Sequence, residues 1–194
     1  MVEKDSKDLK TDDKKVNHDE EIDYSKYSIG VISLTGGKTS EWYKENLSNG
    51  KFHFFFDELE SNLNWDVKLL IICAHGRKAS HKVKGVDKSV DMDEIMEFIK
   101  KNIKYQKIYL NVCQGGNCDD TPGESLGNHV SLGLNCKVYA ALEKIKAYNG
   151  KNNKFFDNHE YTWHRYTNNS KSNINGKGIK TIRQLIHFLY YKIY

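Results

Sequence analysis

Apolar residues fall along this chain in short dense runs separated by glycine, asparagine and charge, with only a few stretches in helical rhythm. Ser28-Ile29-Gly30-Val31-Ile32-Ser33-Leu34 reads as a first strand, with Gly36-Gly37 as its turn and Thr39 or Ser40 as the N-cap of a helix to about Leu47. Lys51 to Phe56 fits a second strand, and Asp57 to Asn64 a short helix or loop. Val67 to Ala74 and Lys107 to Val112 are nearly continuous apolar runs, the pattern of strands buried on both faces. Between them, Val83, Val86 and Val90 alternate with polar residues and predict a small hairpin. Met92, Ile95, Met96 and Ile99 then recur at i, i+3, i+4 and i+7, which predicts a helix over Asp91 to Asn102 with one core-facing stripe.

The pattern continues with a loop from Gly115 to Gly123, a helix from Glu124 to Leu134 and a strand from Lys137 to Leu142. Tyr161 to Tyr166 reads as a further strand or one strand of a terminal hairpin, and Ile179 to Tyr191 as a closing amphipathic helix. Strands alternating with helices predict an α/β fold: a mostly parallel central sheet between helical layers, with right-handed crossovers.

Residues 1–26 are rich in Lys, Asp and Glu and hold few apolar groups, so burial there cannot offset the entropy of ordering them. They are expected to form a flexible charged tail ahead of one domain spanning residues 27–194, a length sufficient for a single core. No apolar stretch approaches the roughly 18 residues of a membrane span, and the N-terminus lacks the apolar core of a Sec-type signal peptide. A soluble chain is expected, cytoplasmic or translocated into a host cell by another route. The charge of +4, from 30 Lys plus Arg against 26 Asp plus Glu, is dispersed along the chain and does not indicate nucleic-acid binding. The four cysteines show no disulfide-framework spacing, and Cys73 and Cys136 sit in apolar contexts. They read as reduced thiols, three structural and one reactive.

The two longest runs end on residues capable of nucleophilic chemistry, one in His75-Gly76 and the other in Cys113-Gln114-Gly115-Gly116. Neighbouring parallel strands would deliver both to the C-terminal edge of the sheet, where open α/β sheets bind ligands. A cysteine attacks as thiolate, so it needs a base or an ion-pair partner, and His75 is the candidate. Gly115 and Gly116 would leave the substrate side of the nucleophile open. His53, His81, His129, His159, His164 and His187 lack a comparable context. Cys113, Cys118 and His129 match no structural zinc spacing, so no metal is expected. Taken singly, each motif also reads as a plain strand terminator.

A strand ending in His-Gly, a helix, and a strand ending in Cys-x-Gly together resemble the peptidase clan of caspases, metacaspases, legumain, clostripain, gingipains and separase. In layout the chain is most similar to the autoprocessing cysteine peptidase domains of large bacterial toxins. The caspase signature Gln-Ala-Cys-x-Gly follows its histidine by about 50 residues. Here Asn111-Val112-Cys113-Gln114-Gly115 follows His75 with Cys113 38 residues on, and the resemblance covers about residues 28–145.

That resemblance implies a caspase-like three-layer sandwich and a cysteine endopeptidase cleaving proteins or peptides through an acyl-enzyme on Cys113. It implies a bacterial effector or toxin that cleaves itself, and an oxyanion hole from the backbone N–H groups of Gly76 and Cys113. It also brings in activation by inositol hexakisphosphate, with no cofactor needed for the chemistry itself. Asn111 stands where caspases carry glutamine and metacaspases an acid, so their P1 preference does not carry over. Asp119 and Asp120 would draw a basic P1 residue, whereas Arg77 would pair with an acidic group, and both remain open. Thr35-Gly36-Gly37-Lys38 holds no acid where the toxin domains use an aspartate to orient the histidine, so a His75/Cys113 dyad is expected. Two other classes fit the same residues: a catalytically inactive caspase-fold interaction module, marked by ordinary Cys113 reactivity, and an acyltransferase, marked by transfer to an amine or alcohol.

Overall fold

The computed structural model describes residues 26–57, 62–76, 80–116, 125–142, 162–167, 170–175 and 182–191. In chain order these form β1 (Ile29–Ser33), α1 (Lys38–Asn46), β2 (Phe52–Phe54), β3 (Trp65–Ala74), β4 (Lys82–Lys84), β5 (Ser89–Asp91), α2 (Met92–Asn102), β6 (Ile103–Val112), α3 (Leu126–Leu134), β7 (Lys137–Ala141), β8 (Thr162–Thr167), β9 (Ser170–Asn175) and α4 (Ile182–Tyr191). The expected N-terminal tail lies, apart from Lys26, outside the described residues.

Among the described residues the central sheet has seven strands in the order β2-β1-β3-β6-β7-β8-β9. The first five run parallel, and β8 and β9 close one edge as an antiparallel hairpin. The chain is therefore α/β with a mostly parallel sheet, and the Tyr161 segment resolves into the hairpin alternative. Alternation along the strands sends side chains to two separate cores. Leu70, Ile72, Ala74, Ile108, Leu110 and Val112 pack with Met92, Ile95, Met96 and Ile99 of α2 and Leu126 and Val130 of α3. Leu69, Ile71, Cys73 and Tyr109 pack on the other face with Tyr43 and Leu47 of α1 and Leu185, Ile186 and Leu189 of α4. Helices thus cover both faces, which is why β3 and β6 are apolar almost throughout.

The four-residue stripe of α2 is wholly buried, and Asp91 caps the helix by accepting from the Asp93 N–H. The α1 boundary differs from expectation: the helix begins at Lys38 behind Gly37, with no side-chain cap, and not behind Thr39 or Ser40. Ser40 is diverted, because its hydroxyl serves the Thr35 carbonyl and lies 2.6 Å from the Ser33 hydroxyl. Strands β3 and β6 also begin earlier than their apolar runs, at Trp65 and Ile103, because their first halves alternate buried and exposed residues. Lys107 is buried within β6, and its ammonium donates to the Leu189 and Tyr190 carbonyls at the end of α4, at 2.8 and 3.3 Å.

Two histidines are packed into this framework. His53 stacks on Phe98 with ring centroids 5.1 Å apart, and His164 faces the buried side of β8. Burial holds both below the ordinary histidine value of 6.5, for His164 with help from Lys171 and for His53 against a smaller pull from Asp57. Because the folded values lie below the unfolded one, the unfolded chain takes up protons first on acidification. Stability is therefore complete above about pH 6.5 and is lost as pH falls below it, by up to about 1.4 kcal/mol per pH unit for each group. Thermal melts from about pH 7.5 to 5 are expected to show a falling Tm, with a flatter profile in His53→Gln and His164→Gln. An unchanged slope in both variants would assign the acid sensitivity to other groups.

Candidate active site

Each residue of β3 from Trp65 to Ala74 that pairs with β6 has its partner 38 residues further along the chain, ending at Ala74 beside Val112. His75 and Cys113 are the next residues on the two strands, and they too are 38 apart. The motif spacing in the sequence is thus the register of the sheet. The structure sets the two residues at adjacent strand ends on the C-terminal edge, both following the face that carries Cys73 and Asn111. Cys113 is half-buried and His75 exposed. Cys113 lies close enough to Tyr109, two turns of the pleat below it, to help raise that phenol, whose own burial is the larger cause.

Gly76 brings the two strand ends into direct contact. A Cβ on it would stand 2.1 Å from Val112 Cγ1 and 2.9 Å from the Cys113 carbonyl oxygen. Only glycine lets this backbone pass so close to the Cys113 carbonyl. His75 itself is held by its main chain: its N–H donates to the Lys84 carbonyl at 3.0 Å and its carbonyl accepts from the Lys84 N–H at 2.7 Å. The expected hairpin is present as β4 paired with β5, Val83 opposite Val90, and it is anchored to the histidine by this bridge. Its base is fastened to the helices, where His81 stacks on His129 with centroids 3.9 Å apart and His129 Nε2 lies 2.8 Å from Asp93.

Beneath the two residues lies a partly buried polar chain. Asn111 accepts from the Tyr109 hydroxyl at 3.4 Å, and its amide approaches Cys73 Sγ at 3.7 Å. Burial pushes the Cys73 thiol up to about 12, against smaller downward pulls from hydrogen bonds with Asn111 and Tyr43. Burial likewise pushes Cys136 up to about 12. Both thiols stay protonated and unreactive at neutral pH. The Asn111 side chain is committed to this chain.

The turn after Cys113 is held on every side. Gln114 adopts a left-handed conformation, φ 56°, uncommon outside glycine, which reverses the chain sharply behind Cys113. Gly115 and Gly116 are both buried. The Gly115 N–H donates to Val112 at 3.1 Å and its carbonyl accepts from the Gly127 N–H at 2.8 Å, in the first turn of α3. The Gly116 N–H donates to Ala141 at 2.9 Å, and its carbonyl accepts from the Tyr166 hydroxyl at 2.6 Å and from His164 Nδ1 at 3.2 Å. These two glycines therefore pack against β7 and α3.

Of the residues singled out in the sequence, His75, Gly76, Asn111, Cys113, Gly115 and Gly116 converge on one edge of the sheet. Arg77, Cys118, Asp119 and Asp120 lie outside the described residues. Thr35 is buried beside the end of β1, its hydroxyl 3.2 Å from that of Ser33. The Tyr166 and His164 contacts had only a faint sequence signal, two polar aromatic residues at i and i+2 on one strand. Among the described residues no group of three or more His, Cys, Asp or Glu is placed to hold a metal ion, and no helix is long and apolar enough to cross a membrane. No protein-family model matches the chain, and no curated protein matches it in sequence.

Proposed function

We propose that the chain is a caspase-like cysteine endopeptidase built on a His75/Cys113 dyad. The observation that carries this reading is that His75 and Cys113 directly follow the last registered pair of β3 and β6, Ala74 and Val112, with the Gly76 backbone against the Cys113 carbonyl. In the reaction, Cys113 Sγ attacks the scissile carbonyl carbon as its proton passes to His75. The oxyanion is received by the backbone N–H groups of Gly76 and Cys113. Collapse of the tetrahedral intermediate breaks the C–N bond, His75 returns the proton to the leaving amine, and water hydrolyses the thioester. Nothing in this sequence of steps requires a metal or cofactor. Self-cleavage, delivery into a host cell and activation by inositol hexakisphosphate belong to the reading only through its likeness to the toxin domains.

The test is a panel of irreversible peptidyl acyloxymethyl ketones bearing lysine, asparagine or aspartate at P1, with the adduct located by mass spectrometry. A single adduct on Cys113 that is lost in His75→Ala supports the reading and identifies the P1 class. Labelling of Cys113 no faster than that of a free thiol, with every probe and in both proteins, contradicts it and leaves the interaction-module alternative.

A further inference from the structure

We propose that Tyr166, backed by His164, is the positioning residue for the nucleophile, acting through the Gly116 carbonyl; this rests on the cysteine-peptidase reading. The turn that carries Cys113 has two ends. One is fixed by the β6 ladder, which runs to Val112 beside Ala74. The other is Gly116, and the groups that fix it come from β7 and β8. Tyr166 donates its O–H at 2.6 Å and His164 its Nδ1–H at 3.2 Å to the same carbonyl oxygen, and His164 Nδ1 also lies 3.2 Å from the phenol oxygen. All three residues are buried.

Two glycines let the phenol reach that far. A Cβ on Gly127 would meet the Tyr166 ring at 2.5 Å, and one on Gly116 would meet the Ala140 carbonyl oxygen at 2.7 Å. The space between α3 and β7 is thus kept open so that two donors from β8 can hold one carbonyl of the nucleophile turn. Since the left-handed Gln114 leaves the turn little slack, the position of Gly116 sets the direction in which Cys113 presents its sulfur to His75. A displacement of about 1 Å in such a group costs roughly 10²-fold in rate.

The experiment is iodoacetamide labelling of Cys113 in the full chain across pH, followed by mass spectrometry, in wild type, Tyr166→Phe, His164→Asn and His164→Phe. Phe98→Leu, which loosens α2 away from the turn, controls for general loss of stability. Tyr166→Phe is expected to slow labelling at neutral pH by roughly 10-fold or more and to shift the pH profile towards that of a free thiol. His164→Asn keeps a donor in the place of Nδ1 and is expected to retain most of the rate, whereas His164→Phe loses it. An unchanged profile in Tyr166→Phe, or an equal loss in Phe98→Leu, overturns the assignment while leaving the peptidase reading in place. A wild-type Cys113 that labels like a free thiol overturns the peptidase reading and the assignment with it.

Discussion

A Cys113→Ala chain is expected to keep its fold and to lose peptide cleavage by at least about 10³-fold, the scale on which hydrolases lose activity without their nucleophile. The half-buried thiol contributes little to either core, so Tm is expected to move by no more than about 2 °C. His75→Ala is expected to be nearly as inactive at neutral pH and equally well folded, because the histidine is tied into the structure by backbone bonds to Lys84 that alanine retains. Some of its activity is expected to return as pH rises and the thiol ionises without a base. Steady-state turnover of one peptide in the three proteins, beside their melting curves, checks both statements. Full activity in Cys113→Ala would refute the mechanism.

Gly76→Ala is expected to damage fold and chemistry together. The new methyl group would sit 2.1 Å from Val112 Cγ1 and 2.9 Å from the Cys113 oxygen, so either the strand ends separate or the Cys113 peptide shifts. Overpacking of this kind costs about 1–3 kcal/mol, which lowers Tm by roughly 2–12 °C in a chain of this size. Cleavage is expected to fall further than stability accounts for, since the distortion falls on Gly76 and Cys113, whose backbone N–H groups are the proposed oxyanion donors, each worth about 10²-fold or more. Measured below its melting transition, a Gly76→Ala protein with wild-type turnover would remove Gly76 from the site.

Much of the architecture was legible because β3 and β6 are buried on both faces and therefore written in nearly unbroken apolar residues. The α2 stripe was equally plain, since Met92, Ile95, Met96 and Ile99 all meet the same core. Other boundaries were hidden by competing interactions. Ser40 has the chemistry of an N-cap, yet its hydroxyl is drawn to the end of β1, and Gly37 begins the helix in its place. The opening residues of β3 and β6 mix polar with apolar side chains and extend no continuous run, although Trp65 and Tyr105 still pack against the core.

The site shows the same division. Local patterning named His75, Gly76 and Cys113, and their 38-residue spacing proved equal to the strand register. The roles of Asn111, Gly115, Gly116, Tyr166 and His164 depend on contacts between residues far apart in the chain. Asn111 belongs to a partly buried chain with Tyr109 and Cys73, Gly115 is bonded to Gly127 of α3, and Gly116 packs against β7. No spacing within a single strand encodes such contacts.

The most direct measurement of the central claim is the rate at which iodoacetamide labels Cys113 at neutral pH, in wild type and in His75→Ala, with Cys73 and Cys136 as internal references. The predicted result is fast labelling of Cys113 that depends on His75, while buried Cys73 and half-buried Cys136, both pushed up to about 12, label far more slowly. A Cys113 that labels like a free thiol, or at the same rate without His75, would contradict the dyad.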